Sequence, residues 1–396
     1  MRRLRATPWL WIGIVYVLSR LVTTGFFALA ANASTSLSRF GARPSLGDLF
    51  LGWDAQWYWF TAVNGYPSSL PLTQTGAVAE NQWAFMPLYS YLSAAVGAPF
   101  GSWGVGGVLV SLVAGYLSCL VLYRMLRMRL PAAASAWAVV FFAAGPLAAM
   151  FQVAYAESLA LLWLFLGLWL VMRRRYAWLF LLIPLMAFTR PGVLAFALML
   201  GLLLLWRVVR RRREALPVRE AVLLGAAAAW AAVLGFAWQW IAGIATGDPG
   251  AYLVTELAWR RNWIPDSGTQ FLPFDGFLEG VRFWFTAWGP GPVVGYIVLG
   301  ALILGVAALL LFEPHVRKLG IELRLWTASY LLYLLAVFFP QSSVFRLLLP
   351  VSPLFGALAV PRSRAWRIGV LVVCLLGQWW WIYNMYGLGN TYWQIP

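Results

Sequence analysis

Apolar stretches of roughly 15–25 residues recur from one end of this 396-residue chain to the other, and they leave few folds open. About 20 apolar residues are what an α-helix needs to cross the hydrocarbon core of a bilayer. The chain is 62% hydrophobic and only 11% charged, more apolar surface than a soluble domain can hide. The pattern therefore predicts an all-α polytopic membrane protein. About eleven helices are expected, at roughly 8–31, 101–124, 131–150, 155–172, 176–189, 191–206, 220–245, 291–312, 322–339, 345–360 and 367–386. The pair 176–189 and 191–206 is short for full spans and reads as a hairpin with Thr189-Arg190-Pro191-Gly192 at its tip. The basic, then apolar, then small-residue N-terminus has the outline of a signal peptide. Its long apolar run and the many spans behind it favour a retained first helix.

Charge sets the expected sidedness. Basic clusters at Arg2/Arg3/Arg5, Arg124/Arg127/Arg129, Arg173/Arg174/Arg175, Arg207 with Arg210–Arg213 and Arg219, Arg317/Lys318/Arg324 and Arg362/Arg364/Arg367 hold 21 of the 29 basic residues. The positive-inside rule places them, and the N-terminus, in the cytoplasm. Nine of the 13 acids, Asp48, Asp54, Glu80, Glu157, Asp248, Glu256, Asp266, Asp275 and Glu279, then fall on or near the outer side. The net charge of +16 is thus mostly topology and attraction to anionic headgroups. Nucleic acid is not an expected partner, because no basic soluble module carries that charge. Lys318 is the only lysine, a usage that points to a GC-rich bacterial genome and so to a bacterial plasma membrane.

Two outer loops are large, about 32–100 and 246–290, and long loops in compact proteins usually carry function. Both are rich in Trp, Pro and Gly with apolar runs between, which predicts segments lying on the membrane surface. "AFMPLYSYLSAAVGAPF" reads as one such interfacial or re-entrant helix. No internal repeat is visible, so an inverted-repeat transporter gains no support. Cys119 and Cys374 lie inside apolar runs, against a disulfide framework or a cysteine metal site. The only histidine, His315, falls on the inner side, and no cluster has metal-ligand spacing. Asp54 and Glu80 together would still be too few oxygens for a hard cation; no metal and no cofactor are expected.

The first loop opens with "LGWDAQWYWFTAVNGY". A helix over 46–62 puts Leu49, Trp53, Trp57 and Phe60 on one apolar stripe and Asp54 beside it with Phe50, Tyr58 and Thr61. The acid would sit at headgroup depth against aromatic surface. On the residues alone, a solvated acid in an ordinary aromatic belt fits equally well, and Glu80 reads as a loop charge. Outer or intramembrane arginines are few: Arg20, Arg39, Arg43, Arg190, Arg260, Arg261, Arg282 and Arg346. Intramembrane charge is costly and usually functional. Arg190 and Arg346 sit where short helices meet the outer side; snorkelling, or pairing with Asp54, Glu80 or Glu157, is the plain reading. Glu157 starts a span, where the helix dipole alone would favour an acid.

"GWDAQWYWFTAVNGY", "NQWAFMPLY", "AGPLAAMFQVAYAESLALLWLF", "LAFTRPGVL" and "QSSVFRLLLPVSPLFG" occur in this order, and together they resemble the PIG-V family of mannosyltransferases over about residues 50–360. "TRPG" departs from the family's Arg-Asn-Gly turn. The resemblance implies a GT-C glycosyltransferase that takes mannose from a polyprenyl-phosphate donor at the outer membrane face. It implies Asp54 as catalytic base and a catalytic role for the first outer loop, with the second covering the substrate. Trp53, Tyr58, Glu80, Glu157, Arg190 and Arg346 become the candidate substrate-binding residues. The acceptor, a glycan, glycolipid or protein, is not legible. A lipid or sugar-lipid transporter, and a non-catalytic subunit of a glycosylation complex, are the competing readings.

Overall fold

The computed structural model describes residues 7–264, 270–390 and 394–396; Arg2, Arg3, Arg5 and Asp266 lie outside them. The protein is an all-α polytopic membrane protein. In chain order the helices are α1 Pro8–Ala33, α2 Leu46–Phe50, α3 Asp54–Asn64, α4 Pro87–Gly97, α5 Trp103–Leu126, α6 Ala132–Ala143, α7 Glu157–Met172, α8 Leu179–Ala187, α9 Val193–Val209, α10 Val218–Thr246, α11 Ala251–Arg261, α12 Asp275–Ala287, α13 Pro292–Phe312, α14 Pro314–Arg317, α15 Ile321–Val337, α16 Val344–Leu347, α17 Phe355–Ala359 and α18 Arg364–Ile382. Among the described residues, five helices (α1, α5, α10, α13 and the last helix through Leu388) are long and apolar enough to cross a bilayer by length and composition, and shorter apolar helices fill the rest of the bundle. α1 is built into the core through Ile12, Tyr16, Arg20, Thr23 and Phe27. α13 buries only Gly295 and Leu310, as suits a helix surrounded by lipid.

Two expected spans are broken. The run 131–150 stops being α-helical at Ala143 and resumes as the 3-10 turn Ala148–Phe151, because Pro146 has no N–H and disfavours the helical conformation before it. The freed carbonyls are met from other helices. Arg20 donates to Ala143 O at 2.6 Å and to Ala148 O, and Gln378 donates to Gly145 O at 3.2 Å. The run 345–360 is likewise divided into α16, the 3-10 segment Leu349–Leu354 and α17 by Pro350 and Pro353. Irregular backbone at membrane depth is tolerated where protein surrounds it. The interfacial helix expected in "AFMPLYSYLSAAVGAPF" is α4. It crosses α5 so closely that a Cβ on Gly106 would collide with the backbone of Ser93 and Gly97.

Ion pairs gather the basic clusters at one end of the bundle: Arg129 with Glu322 at 3.0 Å, Arg207 with Glu220 at 2.7 Å, and Arg174 with Glu214. Both large loops lie at the other end. There the first loop is fixed by an aromatic cluster of Trp83, Met86 and Trp238, with Tyr66 and Phe188 around it. Its indoles are satisfied: Trp238 Nε1 donates to Trp83 O at 2.8 Å and Trp83 Nε1 to Pro67 O at 3.0 Å. The second loop lays α11 on the first, where Asn81 donates to Thr255 at 2.9 Å and Trp259 packs edge-on against Trp57 at 5.7 Å.

Candidate active site

The helix expected over 46–62 is two helices. Between α2 and α3 the chain turns at Trp53, whose φ of 53° is a left-handed value unusual for a residue with a Cβ. The break corrects the expected stripe. Leu49 is fully buried, Trp57 stacks on Phe85 with rings 5.8 Å apart, and of the four stripe residues Phe60 alone is largely exposed. It also places Asp54 in the first turn of α3, where unpaired N–H groups and the helix dipole favour a carboxylate. The Asp54 N–H donates to the Tyr155 hydroxyl at 3.1 Å, which fixes this terminus against the stretch leading into α7.

Four charged side chains from distant parts of the chain meet here. Glu157 begins α7, and its carboxylate is 4% exposed. Arg346, on the four-residue helix α16, points one nitrogen at two acids: Nη1 lies 2.5 Å from Asp54 Oδ2 and 3.1 Å from Glu157 Oε1. Arg190, in the turn after α8, closes on the same Glu157 oxygen. The order Asp54–Arg346–Glu157–Arg190 alternates in sign, so a cluster mostly hidden from water is near neutral as a whole. That is the ion-pair alternative of the sequence reading. Arg346 keeps unused capacity: its Nε is buried without a hydrogen-bond partner among the described residues, as is Glu157 Oε2. The Tyr155 ring lies 5.5 Å from the Arg346 guanidinium, a cation–π contact that holds the cation without neutralising it.

The other candidates surround this centre at different distances. Tyr58, one turn after Asp54, is buried edge-on against Phe85 and Tyr89 at 5.1 and 5.0 Å and feels all four charges of the cluster. Trp53 turns away: its indole N–H donates to Met385 O at 3.0 Å, and Arg39 lies 4.5 Å over its ring. Glu80 accepts from Asn262 of the second loop at 2.5 Å. Burial raises its carboxyl above the usual range, the Asn262 hydrogen bond lowers it, and Asp54 adds a smaller upward push. Arg260 is buried and Arg261 half-buried. Arg260 lies between Asp275, at 2.8 Å, and Glu279 of α12, and Arg261 donates to Val78 O. Arg20 serves the broken α6 and is no part of the cluster.

Sequence reasoning passed over Tyr155 and Glu256. Tyr155 stands two residues before Glu157 in a stretch already singled out, but an aromatic in an apolar run gives no sign of facing an arginine. Glu256 was counted only as an outer acid. It is half-buried on α11, and its spacing puts it on one face with Tyr252 and Trp259, which are half-buried as well.

A cavity of about 60 Å³ lies at the cluster, lined by Glu157, Arg190, Arg346, Trp326 and Tyr330. From the neighbouring Leu348 and Leu349, an apolar groove of about 1050 Å³ reaches past Leu309 and Phe355 to His315 and Trp366 near the basic end. Charge at loop depth and a long apolar groove behind it suit an amphipathic ligand with an anionic head. Among the described residues no group of three or more His, Cys, Asp and Glu has the geometry to hold a metal ion.

No protein-family model matches the chain, and no curated protein sequence does. Among solved structures it is similar to ArnT from Cupriavidus metallidurans bound to undecaprenyl phosphate, at 15% identity and a TM-score of 0.49 over 90% of this chain and 62% of that one. It is also similar to the archaeal oligosaccharyltransferase AglB from Archaeoglobus fulgidus in complex with an inhibitory peptide and a dolichol-phosphate, at 13% identity and a TM-score of 0.46 over 93% of this chain and 54% of that one. The chain spans between about half and three fifths of the length of these structures.

Proposed function

We propose that this protein is a GT-C type membrane glycosyltransferase of the PIG-V kind, which moves mannose from polyprenyl-phosphate mannose to an acceptor hydroxyl at the outer membrane face. One observation carries the reading: two arginines and two carboxylates from four separate segments meet, largely buried, where the first loop joins the bundle and beside a long apolar groove. Such a cluster is costly to assemble in a membrane protein, and clusters of that cost usually serve function. The groove suits a polyprenyl tail, and the arginines suit its phosphate.

In the proposed reaction the phosphodiester displaces carboxylate from the guanidinium groups. Arg346 then offers Nε and its freed Nη1 to phosphate oxygens, with Arg190 beside it. This releases Asp54 Oδ2, which otherwise lies on Arg346, for the acceptor. The acceptor oxygen attacks the anomeric carbon as its proton passes to Asp54. The bond from that carbon to the phosphate oxygen breaks, its electron pair leaves with the polyprenyl phosphate, and the arginines hold the growing charge. Displacement from the opposite face inverts the anomeric centre. The reaction we propose is independent of metal. Trp57 and Trp259 supply aromatic surface beside the sugar. The acceptor is a glycan, glycolipid or protein hydroxyl.

The groove by itself also favours a lipid transporter. Purified protein in detergent, given labelled polyprenyl-phosphate mannose and an acceptor panel, should transfer label without any other subunit. Lipid movement in proteoliposomes with no transfer to any acceptor would overturn the enzyme reading in favour of the transporter.

A further inference from the structure

The N-terminus of α3 carries Asp54 and has no capping side chain of its own. Two N–H groups of its first turn, those of Ala55 and Gln56, turn back onto Gly52 O at 3.2 Å and Trp53 O at 3.1 Å. The Asp54 N–H leaves the segment and donates to the Tyr155 hydroxyl at 3.1 Å. Tyr155 therefore does from the approach to α7 what an N-cap side chain ordinarily does from beside its own helix. It is fully buried, and its backbone is held from two directions. The Ala154 N–H donates to Phe50 O of α2 at 3.0 Å, and Ser111 Oγ of α5 donates to Tyr155 O at 3.1 Å. The ring of the same side chain meets the cation, with the Arg346 guanidinium 5.5 Å from its centroid. One seated side chain thus touches both the backbone of the proposed base and the proposed phosphate ligand.

We propose that Tyr155 is a positioning residue, which holds Asp54 and Arg346 in place while they exchange partners during the reaction; this rests on the glycosyl-transfer reading. Among the described residues the Asp54 carboxylate is bonded to Arg346 alone. When a phosphodiester takes over the guanidinium, that bond is lost and the carboxylate no longer anchors the start of α3. The start follows the left-handed turn at Trp53, a conformation that a residue with a Cβ keeps only where its surroundings enforce it. The Tyr155 hydroxyl bonds the Asp54 backbone and not its carboxylate. It therefore survives the exchange and leaves both carboxylate oxygens to the acceptor. Arg346 gives up its two carboxylates in the same event. The Tyr155 ring attracts the guanidinium through its quadrupole and carries no net charge, so it steadies the cation without competing with phosphate for its N–H groups. A carboxylate in this place would compete, and an aliphatic side chain would support neither partner. Tyrosine supplies the hydroxyl acceptor at one end and the cation-attracting face along its length.

The test is transfer of label from polyprenyl-phosphate mannose by the detergent-solubilised full chain, with kcat and donor KM measured separately. In the proposed reaction Asp54 acts as the proton moves and Arg346 from donor binding onward, so the two contacts of Tyr155 fall on different constants. Tyr155→Phe keeps the ring and removes the hydroxyl. Its kcat should fall about three- to tenfold, the loss of one hydrogen bond, with donor KM unchanged. Tyr155→Leu removes both contacts. Its kcat should fall at least as far, and its donor KM should rise about ten- to thirtyfold, the loss of a desolvated cation–π contact. In an Asp54→Asn background, where no base remains to be positioned, Tyr155→Phe should lower the residual kcat no further. The same kcat loss in that background as in the wild type, or a wild-type kcat in Tyr155→Phe, would reduce Tyr155 to packing and leave the transferase reading standing. A wild type that transfers no sugar to any acceptor would overturn the transferase reading, and the positioning role with it.

Discussion

Asp54 shows what a single side chain decides here. Its position at the start of α3, its hydrogen-bonded backbone and its contact with Arg346 follow from the left-handed turn at Trp53. Asn in its place keeps the shape and the acceptor oxygen but cannot take a proton. Asp54→Asn should express, insert and bind donor, and transfer sugar about 10²–10⁴-fold more slowly. Glu80→Gln should keep most of its turnover, since Glu80 faces Asn262 and not the cluster. A dead Glu80→Gln beside an active Asp54→Asn would move the base to Glu80. Arg346→Ala withdraws the cation from two acids at once. Donor binding should weaken by about 1.5–3 kcal/mol, the worth of a charge-assisted hydrogen bond, and the buried Glu157 should keep only Arg190 as its counter-charge, so folding must be checked in parallel. Arg346→Lys should restore only part of the donor affinity, because a point charge replaces a planar fork. Unchanged KM and kcat in folded Arg346→Ala would remove it from the site. The candidates Asp54, Glu157, Arg190 and Arg346 were legible because ionisable residues in apolar surroundings are rare. That they bond one another was not, since the pairing spans 292 residues of sequence and depends on how the helices pack.

At the scale of elements, apolar length located the helices well and proline located their breaks badly. The eleven expected segments all have helical counterparts, but 131–150 and 345–360 are interrupted, and 46–62 is two pieces. Periodicity reports which face of a helix is apolar. It does not report that Arg20 and Gln378 stand ready to receive the carbonyls of a broken one, and without such partners a break at that depth would be too costly to expect. The second outer loop was legible only as long and aromatic. Its attachment depends on Arg260, buried between two acids of α12. The side chains of both acids remain partly open to solvent, Asp275 at 39% and Glu279 at 31%, so screening limits the loss in Arg260→Ala to about 1–2 kcal/mol. That loss should fall locally: α11 and α12 should separate first, and protease should cut within 248–290 faster than in the wild type while the bundle stays intact. An unchanged cleavage rate at equal helicity would show that Trp259 and Thr255 hold α11 down without the ion pair.

Across the whole molecule, charge is divided between two ends. The acids that pair with the basic clusters, Glu214, Glu220 and Glu322, lie at one end; Asp54, Glu157, Arg190 and Arg346 lie at the other. The structure shows this division, and the positive-inside rule predicts from it that the basic end faces the cytoplasm. The mechanism depends on that choice, because it decides which compartment supplies the acceptor. Ser69, in the first loop, and Arg212, between α9 and α10, are both exposed. The native cysteines Cys119 and Cys374 are buried and should contribute little background. In intact cells, Ser69→Cys should therefore react with a membrane-impermeant maleimide, and Arg212→Cys should react only after the membrane is opened. Arg212→Cys removes one charge from a cluster of five neighbouring arginines, Arg207 and Arg210–Arg213, which leaves enough of the bias to keep the topology. The reversed labelling pattern would put the arginine–carboxylate cluster on the cytoplasmic face. It would still be a phosphate site beside a lipid groove, but its acceptor would have to be a cytoplasmic molecule.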